Sequence, residues 1–133
     1  MPRLTLRIDF DTDRAIGPGK IRLLEMIDKH GSISEAGRQM GMSYRRAWLL
    51  VDSLNRSFST PVTASQKGGP HGGGAYLTEF GQAVVQHYRA VENAAEKAGA
   101  AHIAALTAAL AKRTRPTRKI IGEKTRRLAR NLG

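Results

Sequence analysis

The sequence predicts a mainly α fold with a small β component, an α+β domain. Three observations carry this. Apolar residues recur at helical spacing between residues 18 and 58, with caps and glycine stops in register. A glycine-rich stretch, "KGGPHGGGAYLT", lies between two short runs of strand-like residues. A long helical pattern then runs from residue 79 towards residue 111.

Taken in order, "RLTLRIDF" alternates Leu4, Leu6, Ile8 and Phe10 with Arg3, Thr5, Arg7 and Asp9, the pattern of a half-buried strand. "DTDRAIGPG" reads as a turn region. The next segment, "KIRLLEMIDKHG", places Ile21, Leu23, Leu24 and Ile27 on one broad face. It is entered through Pro18, whose missing N–H costs nothing in a first turn, and it ends at Gly31. Ser32 and Glu35 have the spacing of a capping box, so a short helix is expected from about Ser34 to Met40. Gly41 stops it, because glycine takes the left-handed turn without steric cost. Ser43 is a good N-cap for a longer helix with Ala47, Leu50, Val51, Leu54 and Phe58 at core spacing. A short helix, a three-residue turn containing glycine and a longer helix form a helix-turn-helix layout.

In that layout the start of the second helix is the part that enters a DNA major groove. Here it carries Ser43, Tyr44, Arg45 and Arg46. Arginine there can grip guanine with two hydrogen bonds or hold a phosphate, and tyrosine can bond phosphate or pack on sugar. Two adjacent arginines are also common as solvated surface charges; their position after Gly41 and Ser43 favours the functional reading. Trp48 shares a side with Tyr44 and suits either packing against the following strands or direct DNA contact.

"VTASQ" and "AYLT" are short strands flanking the glycine-rich loop, and together they make a wing. Gly68, Gly69, Gly72 and Gly73 let backbone approach phosphates, while Lys67 and His71 supply charge or donors. A phosphate-binding P-loop would need a Lys-Ser/Thr pair opening a helix, and a dinucleotide fingerprint would need a βαβ unit; neither is present. A flexible linker does not belong between two short strands. The fold expected is therefore a winged helix-turn-helix with an N-terminal strand. After the wing, Thr78 can cap a helix whose stripe of Phe80, Val84, Tyr88, Val91 and Ala95 continues through Ile103, Leu106 and Leu110, with Gly99 as a point of break or kink. This exceeds what one small core needs, and a second copy of the chain is the simplest cover for the surplus.

Charge divides the chain. Its 133 residues have a net charge of +11. Residues 112–133 hold nine Lys or Arg and one acid, whereas residues 1–111 hold thirteen bases and ten acids. The expected organisation is a domain over 1–111 followed by a basic, flexible tail over 112–133. A polyanion is the natural partner of such a tail, nucleic acid before an anionic membrane surface. There are no cysteines, and no apolar run long enough for a signal peptide or membrane span, so a cytoplasmic, nucleoid-associated protein is the expectation. His30, His71, His87 and His102 are scattered without metal-ligand spacing, and Asp9, Asp11 and Asp13 lack the glycine and closing glutamate of a calcium loop. No nucleophile has an evident base. An enzyme is not expected, and no cofactor or metal is expected either.

Two stretches, "GSISEAGRQMGMSYRRAWLLVDSLN" and "GGPHGGGAYLTEFGQ", occur in the right order and spacing to resemble the DNA-binding domain of molybdate-responsive regulators of the ModE type, over roughly residues 3–100. The LysR-type regulators are similar more distantly, through the helix-turn-helix. The ModE resemblance implies that Ser43, Tyr44, Arg45 and Arg46 begin a recognition helix and that Gly68, Gly69, Gly72, Gly73 and Gly74 form the wing. It also implies that the first helix and the helix after the wing build a homodimer, which would read a palindromic site. The basic tail stands where that family carries its oxyanion-binding domains, so molybdate is not expected to bind this chain alone. The function expected is a double-stranded-DNA-binding transcriptional regulator. An architectural, weakly specific DNA binder driven by the tail is the alternative, and a protein-interaction module is the alternative of another class.

Overall fold

A computed structural model describes residues 1–66 and 74–113. Two short antiparallel strands open it, β1 (Ile8–Asp9) and β2 (Ala15–Ile16), with Ile8 opposite Ile16. Three helices follow: α1 (Pro18–His30), α2 (Ile33–Gln39) and α3 (Tyr44–Ser57). A second antiparallel pair, β3 (Thr63–Gln66) and β4 (Gly74–Leu77), precedes the long helix α4 (Glu79–Ala108). The fold is the expected α+β winged helix. The chain divides into two compact units, Met1–Ala100 and Ala101–Gly133. The first holds everything up to most of α4. The described part of the second holds the end of α4, where Leu106 is exposed, and the residues just after it, where Leu110 is exposed.

The leading segment departs from expectation. Burial alternates along Leu4, Leu6 and Ile8 as an edge pattern should, yet only Ile8–Asp9 pairs as strand. Its partner is β2, inside what the sequence marks as turn. The turn is made by Asp11, whose Oδ1 accepts the N–H groups of Asp13 at 3.1 Å and Arg14 at 2.8 Å. The Arg14 guanidinium bonds the same carboxylate and holds it below the usual carboxylate range. Asp9 pairs with Arg7 at 2.7 Å. The alternating aspartates are thus turn and strand-end residues, and among the described residues no cluster of three potential ligands could hold a metal.

The helix boundaries follow local chemistry. Gly31 ends α1 at φ 70°, with its N–H bonded to the Ile27 carbonyl. Ser32 Oγ accepts the Glu35 N–H at 3.1 Å and starts α2. The other half of the capping box does not form: the Glu35 carboxylate takes the Gln39 amide at 3.0 Å and pairs with Arg38 at 3.2 Å. Helix α2 ends one residue before the expected Met40, and the connection runs Met40–Ser43 with Gly41 at φ 69°. A Cβ on Gly37 would lie 3.0 Å from Ala47 Cβ, so this glycine lets α2 and α3 approach closely. Helix α4 continues through Gly99 without interruption.

The core of the first unit gathers Ile21, Leu24 and Ile27 of α1, Ala36 of α2, Val51 and Leu54 of α3, Leu77 of β4 and Tyr88 of α4. Burial of each large side chain contributes roughly 1.5–3 kcal/mol. Three phenylalanines extend it edge to face: Phe10 against Phe58 at 5.9 Å, and Phe58 against Phe80 at 5.4 Å.

Candidate nucleic-acid interface

Ser43 adopts extended backbone before α3, and its Oγ accepts the Arg46 N–H at 3.1 Å. The hydroxyl is thereby a cap that sets where α3 begins, and the first turn that follows is open to solvent. Tyr44, Arg45 and Arg46 are all exposed, Tyr44 at 58%. Among the described residues neither Arg45 nor Arg46 is paired with a carboxylate, whereas Arg7, Arg14, Arg38, Arg56 and Arg89 each are. Two unpaired guanidiniums and a phenol at one helix start can donate to phosphate oxygens or to the acceptor edge of a base.

The strands of the wing are anchored to the helices by specific bonds. Asn55 of α3 accepts the Val62 N–H at 2.7 Å and donates from Nδ2 to Thr63 Oγ1 at 3.0 Å. The Ala75 N–H reaches the Gly31 carbonyl at 3.0 Å, tying β4 to the end of α1. Thr78 donates its hydroxyl to the Pro61 carbonyl at 2.7 Å and accepts the Gly81 N–H at 3.0 Å, so it closes the wing and caps α4 together. Val62 presses so closely on α4 that a Cβ on Gly81 would meet its carbonyl oxygen at 2.0 Å. The wing base therefore has a fixed relation to α3. Lys67, Gly68, Gly69, His71, Gly72 and Gly73 lie outside the described residues; Gly74 begins β4.

Two features adjoin this surface, one of them at a residue for which the sequence left packing and DNA contact both open. Trp48 is 46% exposed and lines a groove of about 160 Å³ with Ile33, Asn55, Thr63, Ser65 and Ala75. It thus stands at the seam between α3 and the wing strands, while Tyr76 of β4 is 48% exposed. The second feature is a cleft of about 270 Å³ beside the start of α3, lined by Arg7, Lys20, Met42, Arg46 and Leu50 among others. Asn55 could have been suspected from the sequence as a polar residue one turn after Val51, at the edge of the apolar face of α3. The cleft could not, because its charges come from three separate segments.

Fold and surface define a winged helix-turn-helix domain presenting basic and aromatic side chains at the start of α3, the second helix of its helix-turn-helix. No family model matches the chain. Among curated proteins it is similar to the molybdenum-pterin-binding protein MopA of Rhodobacter capsulatus, 43% identical over 83 residues, 62% of this chain and 31% of that protein. It is similar to the molybdenum transport protein ModE of Azotobacter vinelandii, 39% identical over 92 residues, 68% of this chain and 34% of that protein. It is also similar to the DNA-binding transcriptional dual regulator ModE of Escherichia coli K12, 36% identical over 81 residues, 61% of this chain and 31% of that protein. The resemblance to ModE-type regulators read from the sequence is borne out. The chain spans about a third of the length of the curated relatives it matches. None of these three is named as an enzyme, in keeping with the sequence reading.

Proposed function

We propose that this chain is a sequence-preferring double-stranded-DNA-binding transcriptional regulator. The observation that carries the reading is the exposed first turn of α3, with Tyr44, Arg45 and Arg46 displayed after the Ser43 cap and free of carboxylate partners among the described residues. A relative similar over this region is named as a DNA-binding transcriptional regulator. In the proposed complex the start of α3 enters the major groove, and Arg45 and Arg46 take base edges or phosphates. The segment containing Lys67, Gly68, Gly69, His71, Gly72 and Gly73 lies along the backbone. The chain acts as a homodimer on a palindromic site, in the cytoplasm and on the nucleoid. Exposed Val91 and Leu106 support the dimer, since apolar helix residues left open in one copy can be covered by another.

The charge of residues 112–133 favours one second reading, an architectural binder held by phosphate contacts alone. Selection from fragmented genomic DNA at two salt concentrations, with the full chain and with residues 112–133 removed, separates the two. The regulator reading expects the shortened chain to enrich a palindromic sequence still, with weaker binding to every sequence alike. Enrichment that is blind to sequence and lost with the tail would establish the architectural binder. Binding to no duplex at all would leave a protein-interaction module.

A further inference from the structure

The cleft beside the start of α3 has three basic residues and no acidic residue in its lining. Its charged walls are Arg7 from β1's leading segment, Lys20 from the first turn of α1 and Arg46 from the first turn of α3. Arg7 is engaged by Asp9, but Lys20 donates only to the neutral Ala15 carbonyl, at 3.0 Å, and Arg46 has no carboxylate among the described residues. The start of α1 adds to this field. Its N-cap is Gly17, which offers no side-chain cap, and its first turn contains no acidic residue. Burial first, and the nearby Arg7 second, push the Lys20 ammonium below its usual value. The cleft shares Arg46 with the exposed helix start, so whatever occupies it lies next to the surface assigned above to DNA.

We propose that this cleft is an oxyanion site, and that it holds a DNA backbone phosphate flanking the groove entered by α3, with Lys20 and Arg7 as additional phosphate contacts. The proposal rests on the DNA-binding reading of the α3 start. It extends the interface to the β1–β2 and α1 segments, which neither the helix-turn-helix nor the wing includes. Such a contact fixes the register of the helix in the groove and carries no sequence information of its own.

The test uses the full chain and a short duplex, with affinity measured across potassium chloride concentrations. Neutralising one phosphate changes the slope of log affinity against log salt by roughly 0.9. Lys20→Gln should lower the steepness by about that amount and leave sequence preference intact. Lys20→Arg, which keeps the charge, should keep the slope, and Lys97→Gln on α4 should leave it unchanged. Circular dichroism checks that Lys20→Gln still folds; if it does not, Arg7→Gln in the lining of the same cleft is read against Arg7→Lys, which keeps a charge beside Asp9. An unchanged slope in these cleft variants, with the natural chain still binding duplex, overturns the site and leaves the DNA reading standing. Failure of the natural chain to bind any duplex overturns both. A titration with inorganic phosphate at constant ionic strength, followed by the amide resonances of Gly19 and Lys20, separates the sources. Saturable phosphate binding combined with an unchanged salt slope would make this a site for a free anion and overturn the backbone assignment.

Discussion

Tyr88 illustrates how one side chain joins distant parts of the first unit. Among the described residues it is the largest fully buried one, and its hydroxyl donates to the Leu6 carbonyl at 2.7 Å, closing α4 onto the leading segment. Tyr88→Phe keeps the ring packing and removes only that bond. Because the Leu6 carbonyl loses its donor, the cost should be about 1–2 kcal/mol at neutral pH, seen in thermal melts. Burial first, and the Glu92 carboxylate second, push the Tyr88 phenol above its ordinary value of 10.0. The folded state therefore favours the neutral phenol. Its contribution is complete below about pH 10 and is lost as pH rises through the raised value. The stability gap between the natural chain and Tyr88→Phe should accordingly close in alkaline solution. A gap that stays constant above pH 10 would show that the hydroxyl does not carry it. The neighbouring Arg89 is bound by Glu25 at 2.6 Å and Glu92 at 2.6 Å, which raises its already high value further and ties α1 to α4.

At the scale of elements, the interface depends on two joints, the cap of α3 and the seat of the wing on α4. Ser43→Ala removes the acceptor for the Arg46 N–H and should cost about 1 kcal/mol. Amide exchange should speed up at Arg46 first, because the loss is local to the first turn. Gly81→Ala is harsher. The new methyl would point at the Val62 carbonyl, a backbone atom that cannot rotate away, so α4 or the wing base must shift. The expected loss is about 1–3 kcal/mol or more, with a lower denaturant midpoint and an unchanged slope. These elements differ in how far the sequence revealed them. The starts of α1 and α3 and the stops at Gly31 and Gly41 were legible because caps and left-handed glycines act within a few residues. Strand β2 was not, because a two-residue strand exists only through its pairing with Ile8 and Ile16's place in the core. The unformed half of the capping box was hidden for a related reason. Whether Glu35 bonds the backbone or Gln39 is a choice between neighbours that spacing alone does not settle.

For the whole molecule, the charge split and the order of motifs carried most of the functional reading. The α3 start with Ser43, Tyr44, Arg45 and Arg46 was named from sequence because a helix start is a local property. The cleft of Arg7, Lys20 and Arg46 is not legible in the sequence. Its residues belong to three segments that only the packing of α1 against α2 and α3 brings side by side. The groove under Trp48 was half visible: its position on α3 suggested a brace or a contact, and the structure places it at the seam with β3 and β4.

The most direct test of that account is selection from a randomised duplex library with the natural chain and with Arg45→Ala, both folded by circular dichroism. If the first turn of α3 reads bases, Arg45→Ala will lose preference at a few adjacent positions in the site, worth about 1–3 kcal/mol there, while binding to unrelated sequence barely changes. If Arg45→Ala instead weakens every sequence equally and leaves the selected site unaltered, Arg45 is only a phosphate contact, and base reading by the start of α3 loses its central support.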